Sequence, residues 1–224
     1  MKFLRKHWYK ILGVLILLYV IPNAWTGEVS VQIILHETIR NLYWHVVMWF
    51  VMIILFGVSV YYSASNLSSP SQKKDIYAVE FAHAGMAFGF IGIITGMIWA
   101  QFTWGAPWTN DAKLNGSAAS LLIYIAYFIL RSSIPDQQKR VKTSAVYNIF
   151  AFTMLLILVG IMPRVMPSLH PGNGGNPGFG NYDDLKGSMA IVFRPAVIGW
   201  TCIGIWIANL RIRYKLIETQ KELW

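Results

Sequence analysis

Histidine and tryptophan are the residues of this chain whose types and spacing could support chemistry. Five histidines are spread over 224 residues, and the only cysteine, Cys202, lies in an apolar run. One cysteine allows no internal disulfide and no paired-thiol chemistry. The sequence also lacks a phosphate-binding loop, a nucleophile elbow and a Cys/His metal-binding run. The histidines, as possible metal ligands, are therefore the first candidates.

The densest aromatic feature is the stretch 104–114, Trp-Gly-Ala-Pro-Trp-Thr-Asn-Asp-Ala-Lys-Leu. It lies between the apolar runs 88–99 and 118–130, so Trp104 and Trp108 belong at a membrane surface, where indole rings prefer the headgroup level. A glycine and a proline between them break the helix. An aromatic loop that anchors two helix ends is the structural interpretation. The order Trp-Gly, Trp, Asp, Lys, Leu favours a more specialised site.

Membrane helices must position these residues. A hydrophobic content of 55% and a mean hydropathy of +0.46 are typical of polytopic membrane proteins. Hydropathy predicts six spans within one integral-membrane domain, residues 1–224. The sequence thus predicts an all-α bundle of six transmembrane helices, with the tryptophan-rich loop between helices three and four. The predicted spans are Trp8–Trp25, Leu42–Tyr62, Val79–Gln101, Leu114–Leu130, Ala145–Met162 and Met189–Leu210.

Basic residues predict the orientation of the bundle. Fourteen Lys and Arg residues lie in the two termini and the loops on their side, against five on the opposite side. This bias places both termini in the cytoplasm and the tryptophan-rich loop outside. The net charge of +9 follows from the same topology and from attraction to anionic lipid, so it requires no nucleic acid. We expect the first helix to be retained, because no clean cleavage site follows it.

The five histidines are expected at different depths in the membrane. We expect His45 just inside the outer end of helix two and His170 in the outer loop after helix five. His83 is expected near the inner end of helix three, across a hydrocarbon layer of about 30 Å from His45. The remaining two are His7, in the basic tail, and His36, in an outer segment predicted to lie on the membrane as a short helix or strand.

The tryptophan stretch resembles the signature of the haem-handling proteins of cytochrome c maturation, the family that includes CcmC, CcmF and CcsA. The family pattern is approximately Trp-Gly-x-x-Trp-x-Trp-Asp-x-(Arg/Lys)-Leu-Thr. The chain departs from it at Pro107, Asn110 and Asn115, and the matching residues are Trp104, Gly105, Trp108, Asp111, Lys113 and Leu114. Length and span number are similar to the small CcmC-like branch.

The resemblance implies haem b as the cofactor. Family members place one essential histidine at the outer end of the helix before the motif's hairpin and a second in an outer loop after it, commonly preceded by leucine. His45 and His170 match those positions. Two axial imidazoles must also reach one iron, so they must share a depth, as His45 and His170 do and His45 and His83 do not. We therefore predict His45 and His170 as the axial ligands.

The rest of the predicted haem site follows from porphyrin chemistry. The flat apolar ring favours aromatic cover, for which the candidates are Trp104 and Trp108, with Trp99, Trp44 and Trp49. The anionic propionates favour cations, for which the outward candidates are Lys113, Arg164 and Arg194. Asp111 is expected to bond loop amides or to pair with Lys113, because a carboxylate is not a usual haem ligand.

Three further patterns carry expectations. The stripe on helix three formed by Gly85, Gly89, Gly92 and Gly96 predicts close packing of another helix. Glu80 and His83, one turn apart, are expected to pair with each other. The long outer loop 163–187 is rich in proline and glycine, which suggests a segment that closes over bound haem and opens for transfer.

The predicted function is haem binding at the outer face of a bacterial inner membrane and delivery to cytochrome c maturation. The resemblance implies two partners, a small membrane-tethered haem chaperone and ABC-type transporter subunits. We expect a carrier and not an enzyme, because no group that makes or breaks bonds is identifiable. Two alternatives are a b-haem electron-transfer subunit, which normally pairs its histidines within the membrane, and a cofactor-free permease subunit, in which both histidines are incidental.

Overall fold

Long helices make up almost all of the part of the chain that the structure describes. This computed structural model describes residues 2–29, 35–170 and 187–221. Those ranges contain no β-strand. Their α-helices are α1 (Lys2–Thr26), α2 (His45–Ser68), α3 (Gln72–Trp104), α4 (Ala112–Ser133), α5 (Gln137–Leu155), α6 (Met162–Val165) and α7 (Ser188–Lys221).

Six helical segments of the described residues are long and apolar enough to cross a membrane. They are α1, α2 with the turn before it, α3, α4, α5 continued by α6, and α7. This confirms the predicted all-α fold with six spans, and the chain is a multi-pass membrane protein. The helices extend beyond the predicted ends because polar end turns, such as residues 72–75 of α3, contribute nothing to an apolar window.

Helix α2 lies at the centre of the bundle, because it packs against α3, α5 and α7. Lipid tails are as apolar as leucine, so helices inside a membrane associate through close packing and hydrogen bonds. The packing here is close along the whole of α2. Its fully buried side chains include Val47, Val51, Met52, Leu55 and Phe56.

The four glycines of α3 form the contact with α2. A Cβ atom added at any of them would come within 3.0 Å of an α2 side chain, so the two backbones approach closely only because these positions lack one. The facing pairs are Gly85 with Phe56, Gly89 with Met52, Gly92 with Trp49 and Gly96 with His45. The predicted role of the stripe in helix packing is confirmed. Its last glycine, Gly96, faces the candidate ligand His45.

Buried polar contacts tie the other helices together. Asn148 of α5 donates hydrogen bonds to Ser59 and Ser63 of α2, at 2.7 and 2.8 Å. Arg131 of α4 makes a two-pronged ion pair with Asp75 of α3. Such contacts stabilise helix pairs in the membrane, where an unpaired polar group has no water to bond.

The expected pair between Glu80 and His83 is wrong. The carboxylate of Glu80 instead accepts a hydrogen bond from Arg211 of α7 at 2.5 Å. The His83 ring packs edge-on against Phe128 of α4, with 4.3 Å between ring centroids. A guanidinium is always charged and is therefore the stronger partner for a carboxylate than a neighbouring imidazole.

A 3₁₀ helix, His36–Tyr43, leads into α2 at the end of the bundle that carries His45. It is fixed to α3, because Trp99 donates to the Thr38 hydroxyl at 3.2 Å and Asn41 donates to the carbonyl oxygen of Thr95 at 3.0 Å. The segment predicted as a short helix or strand is therefore helical from His36 onward, while residues 30–34 lie outside the described part. These contacts fix where α2 begins.

Candidate functional site

His45 is the first residue of α2, and its imidazole lies against the upper part of α3. Its Nδ1 is 2.9 Å from the carbonyl oxygen of Gly92, and Gly96 leaves room for the ring. Trp49 and Trp99 flank the ring edge-on, at centroid distances of 6.3 and 5.8 Å. A carbonyl oxygen can only accept, so Nδ1 carries the hydrogen and Nε2 keeps its lone pair when the ring is neutral.

Asp111 organises the loop between α3 and α4. Gly105, with φ of +79°, ends α3 in the left-handed conformation that glycine adopts without strain. Six residues later, the Oδ1 of Asp111 accepts hydrogen bonds from the backbone amides of Lys113 and Leu114, at 2.9 and 3.2 Å. Asp111 is thus the N-cap of α4. The predicted bond to loop amides is confirmed, and its contact with Lys113 is through the backbone amide.

The same carboxylate holds the second candidate ligand. Asp111 Oδ1 is 2.9 Å from Nδ1 of His170, which lies 59 residues further along the chain. Asp111 Oδ2 accepts hydrogen bonds from the Ser168 hydroxyl and the Leu169 amide, at 2.8 and 2.7 Å. Trp104 packs edge-on against the His170 ring, with 4.9 Å between centroids. The motif loop and the His170 segment therefore form one unit.

The charges at this contact are defined by its surroundings. Burial alone would raise the pKa of Asp111, but hydrogen bonds from His170, Ser168 and the Leu169 amide outweigh it, so that the pKa lies well below its usual range. Burial lowers the pKa of His170, and the hydrogen bond to Asp111 opposes that shift only in part. At neutral pH the pair is a carboxylate and a neutral imidazole. His170 consequently donates from Nδ1 and keeps a lone pair on Nε2.

A widened helical turn precedes the His170 segment that contacts Asp111. Residues Leu156–Ile161 form a π-helical turn between α5 and α6, in which the Met162 amide donates to the carbonyl oxygen of Ile157, five residues back. Pro163 explains the turn, since proline lacks an amide hydrogen and its ring clashes with the carbonyl four residues earlier. Gly116 of α4 accommodates the turn, because a Cβ there would lie 2.4 Å from the Leu158 carbonyl oxygen.

Lys113 is a cation that interacts electrostatically with both candidate ligands. Its side chain is half-buried and lies within electrostatic range of His45, His170 and Arg164. Among the described residues, the Lys113 ammonium has no hydrogen-bond or ion-pair partner, because the carboxylate of Asp111 is occupied by other donors. A half-buried ammonium near the guanidinium of Arg164 favours an anionic ligand.

The other predicted site residues lie further out. Trp108 is 37% exposed, and its indole nitrogen donates to the side-chain oxygen of Asn115 at 3.2 Å. Trp44 packs against Trp25 of α1, with 5.9 Å between centroids. Arg194 is exposed on α7. The structure thus brings His45, His170, Trp104, Asp111 and Lys113 to one end of the bundle, and Trp108 lies at the rim of that group.

Ser168 is the site residue that the sequence interpretation missed. Its hydroxyl donates to Asp111 and also accepts from the His170 backbone amide at 3.2 Å. A serine two residues before a histidine is a local signal for such a turn, since hydroxyls often bond the backbone two residues on. The part of the predicted loop from residue 171 to 186 lies outside the described residues.

Comparison with known proteins identifies the family of the chain. Residues 2–223 match the family described as CcmC, heme exporter protein C. Over 121 residues the chain is 26% identical to the heme exporter protein C of Bradyrhizobium diazoefficiens. This match covers 54% of the present chain and 46% of that protein. Over 111 residues it is 31% identical to the cytochrome c biogenesis protein CcsA of Prochlorococcus marinus subsp. pastoris. This second match covers 47% of the present chain and 35% of that protein.

A plant relative shows the same level of similarity. The chain is 27% identical over 105 residues to the CcsA protein of Daucus carota, covering 46% of this chain and 32% of that protein. The matched part is less than half the length of each of these three relatives. The family match, by contrast, extends over nearly the whole of the present sequence. This chain therefore belongs to the CcmC, or heme exporter protein C, family.

Proposed function

We propose that this chain binds haem b between His45 and His170 at the extracytoplasmic face of a bacterial inner membrane and delivers it for cytochrome c maturation. Family membership and the names of the relatives support this class of function. The proposed recipient is a small membrane-tethered haem chaperone, which ABC-type transporter subunits then release. No bond of the haem ring is made or broken, so the chain is a carrier and not an enzyme.

The observation that carries the proposal is that both imidazoles are held through the same ring nitrogen, Nδ1. Each ring is held through Nδ1, His45 by the Gly92 carbonyl and His170 by the Asp111 carboxylate, both at 2.9 Å. Each therefore keeps its Nε2 lone pair for a metal. The two histidines also lie within electrostatic range of each other. This donor set fits haem iron, which accepts two axial imidazoles.

The surroundings fit the rest of the haem molecule. Trp99 and Trp104 stand beside the two candidate ligands and supply apolar aromatic surface for a flat ring. Lys113 supplies a cation without a partner among the described residues, which suits a propionate. The bias of basic residues, fourteen against five, supports an extracytoplasmic position for this end of the bundle.

Haem titration of the purified protein tests the proposal. Wild-type protein in detergent is expected to bind added haem b with a low-spin, bis-imidazole absorption spectrum. His45→Ala and His170→Ala should each lower the affinity about tenfold or more, because one lost axial bond exceeds about 1.4 kcal/mol. Added imidazole should restore part of the binding by occupying the vacant axial position.

His83→Ala is the matched control. His83 lies on α3, 13 residues below Gly96, which corresponds to about 20 Å along the helix. Its replacement should leave the spectrum and the affinity unchanged. Haem that no acceptor protein can remove would favour a b-haem electron-transfer subunit. Absence of haem binding by the wild type would favour a cofactor-free permease subunit.

A further inference from the structure

The acceptors that hold the two candidate ligands differ in charge. His45 donates to a neutral backbone carbonyl, whereas His170 donates to a carboxylate. A carboxylate attracts the Nδ1 hydrogen more strongly, and a charge-assisted hydrogen bond is roughly twice as strong as a neutral one. The imidazole that donates to it gains negative charge and becomes a stronger metal ligand through Nε2.

Asp111 is also fixed so that it cannot turn away from His170. Its side chain is only 1% exposed, and both of its oxygens accept hydrogen bonds. Its position at the N-terminus of α4 stabilises the ionised form, because the helix dipole is positive there. The Ser168 hydroxyl and the Leu169 amide hold the ligand-bearing segment on the other oxygen. One carboxylate thus sets the position, the tautomer and the charge environment of His170.

We propose that Asp111 is a positioning residue that makes His170 the stronger and His45 the weaker axial ligand of ferric haem. The inference rests on the haem site proposed above. It differs from the expectation from the sequence, in which the outer loop 163–187, which contains His170, opens to release the haem. His45 is then the ligand that gives way first when the haem is handed over.

A first test uses the haem-free protein. Nitrogen-15 NMR of histidine-labelled protein should show His170 as the neutral tautomer with hydrogen on Nδ1, the signal being assigned by its loss in His170→Ala. A tautomer with hydrogen on Nε2 would overturn the inference whether or not the protein binds haem. The readout is therefore independent of the proposed function.

A second test replaces each histidine by glycine and refills the space with a small ligand. In haem-loaded His170→Gly, imidazole can donate to Asp111, whereas 1-methylimidazole cannot. Imidazole should therefore bind at least about tenfold more tightly, the value of a charge-assisted hydrogen bond. The preference should be only several-fold in His45→Gly, where the acceptor is neutral. Equal preferences in the two variants would refute the asymmetry.

The double variant His170→Gly/Asp111→Asn separates hydrogen bonding from steric effects. Because the amide that replaces the carboxylate is uncharged, the preference for imidazole should fall to the several-fold level seen in His45→Gly. If the tenfold preference persisted, the methyl group would simply be too large for the space and Asp111 would not be its cause. This outcome would refute the role assigned to the carboxylate.

A third test measures the reduction potential of bound haem. Asp111→Asn keeps a good N-cap for α4, so the fold should persist. Removing the negative charge should lower the preference for ferric over ferrous haem about tenfold, which raises the midpoint potential by about 59 mV for one electron. Asp136→Asn is the matched control, since Asp136 likewise caps a helix, α5, through the Lys139 amide and lies in the loop at the other end of α4 from Asp111.

The outcomes distinguish this inference from the proposed function. An unchanged potential in Asp111→Asn, with haem bound as in the wild type, would overturn the role of Asp111 and leave the haem site standing. An equal shift in Asp136→Asn would also overturn it, because the effect would then come from any change of charge at a helix N-cap and not from the contact between Asp111 and His170. Failure of the wild type to bind haem would refute the proposed function itself.

Discussion

Gly96→Ala should damage the proposed haem site although position 96 carries no functional group. The imidazole of His45 occupies the space that an alanine methyl would need, and the added Cβ would lie 2.5 Å from Cε1 and 3.0 Å from Nδ1 of that ring. A rigid ring cannot bend out of the way as the end of a flexible side chain can. Trp49 and Trp99 flank the ring and limit its movement further.

The size of the effect follows from these distances. Carbon atoms in contact normally lie about 3.5–4.0 Å apart, so the ring must retreat by about 1 Å. Such a retreat from α3 stretches the 2.9 Å contact between Nδ1 and the Gly92 carbonyl beyond hydrogen-bonding distance. Overpacking should lower the free energy of unfolding by about 1–3 kcal/mol. Loss of the partner that orients a metal-binding imidazole should weaken haem binding about 10- to 100-fold.

The assay is haem titration followed by absorbance, with thermal unfolding in detergent measured in parallel. Gly89→Ala is the matched control on the same stripe. Its Cβ would lie 2.7 Å from Leu121 Cδ2 and 2.8 Å from Met52 Sδ, which are flexible side-chain ends. Position 89 is seven residues, or about 10 Å along α3, from position 96. It should lower stability but leave haem affinity within about twofold, well below the tenfold equivalent of 1.4 kcal/mol. Wild-type affinity in Gly96→Ala, or an equal loss in both variants, would refute the reasoning.

The remaining predictions concern membrane topology, the pH dependence of haem retention, helix packing and haem transfer. A reporter inserted in the loop 105–110 should behave as extracytoplasmic and one after Asp136 as cytoplasmic, because of the bias in basic residues; the reverse pattern would contradict the orientation. Haem retention should stay constant from pH 7.5 to about 6.5 and fall below that, because the lowered pKa of His170 keeps its Nε2 lone pair free of protons until the solution is more acidic than the usual imidazole value. The same pKa shift contributes to the stability of the fold above about pH 6.5, and this contribution is lost as pH falls through the lowered pKa. Loss of haem or of stability already above pH 6.5 would argue against the shift. Asn148→Ala should cost about 1 kcal/mol in unfolding free energy, by removing two hydrogen bonds to α2, with haem affinity unchanged. Trp108→Ala should reduce haem transfer without affecting membrane insertion, and normal cytochrome c assembly in that variant would make Trp108 a simple interface anchor.

The fold was predictable because its signals are local. Apolar runs of membrane-spanning length each predict a helix, and the glycine stripe on α3 predicts a close helix contact. The pairing of helices was not predictable, since any of several apolar helices could pack on a glycine stripe. The failed prediction for Glu80 shows the same limit. Its true partner, Arg211, lies 131 residues away and no local pattern points to it.

The candidate site likewise has a part that the sequence predicts and a part that it does not. Both histidines were predicted from their depth and from the family motif, because a residue's position along a span fixes its height in the membrane. Their acceptors were not, because each contact joins segments that meet only in the folded bundle: His45 reaches Gly92 across 47 residues and His170 reaches Asp111 across 59. Those acceptors nevertheless decide the chemistry. In the proposed haem site, a neutral carbonyl and a carboxylate would give two imidazoles of one residue type different strengths as ligands, and the proposed carrier, which must both hold and release its cargo, would benefit from that inequality.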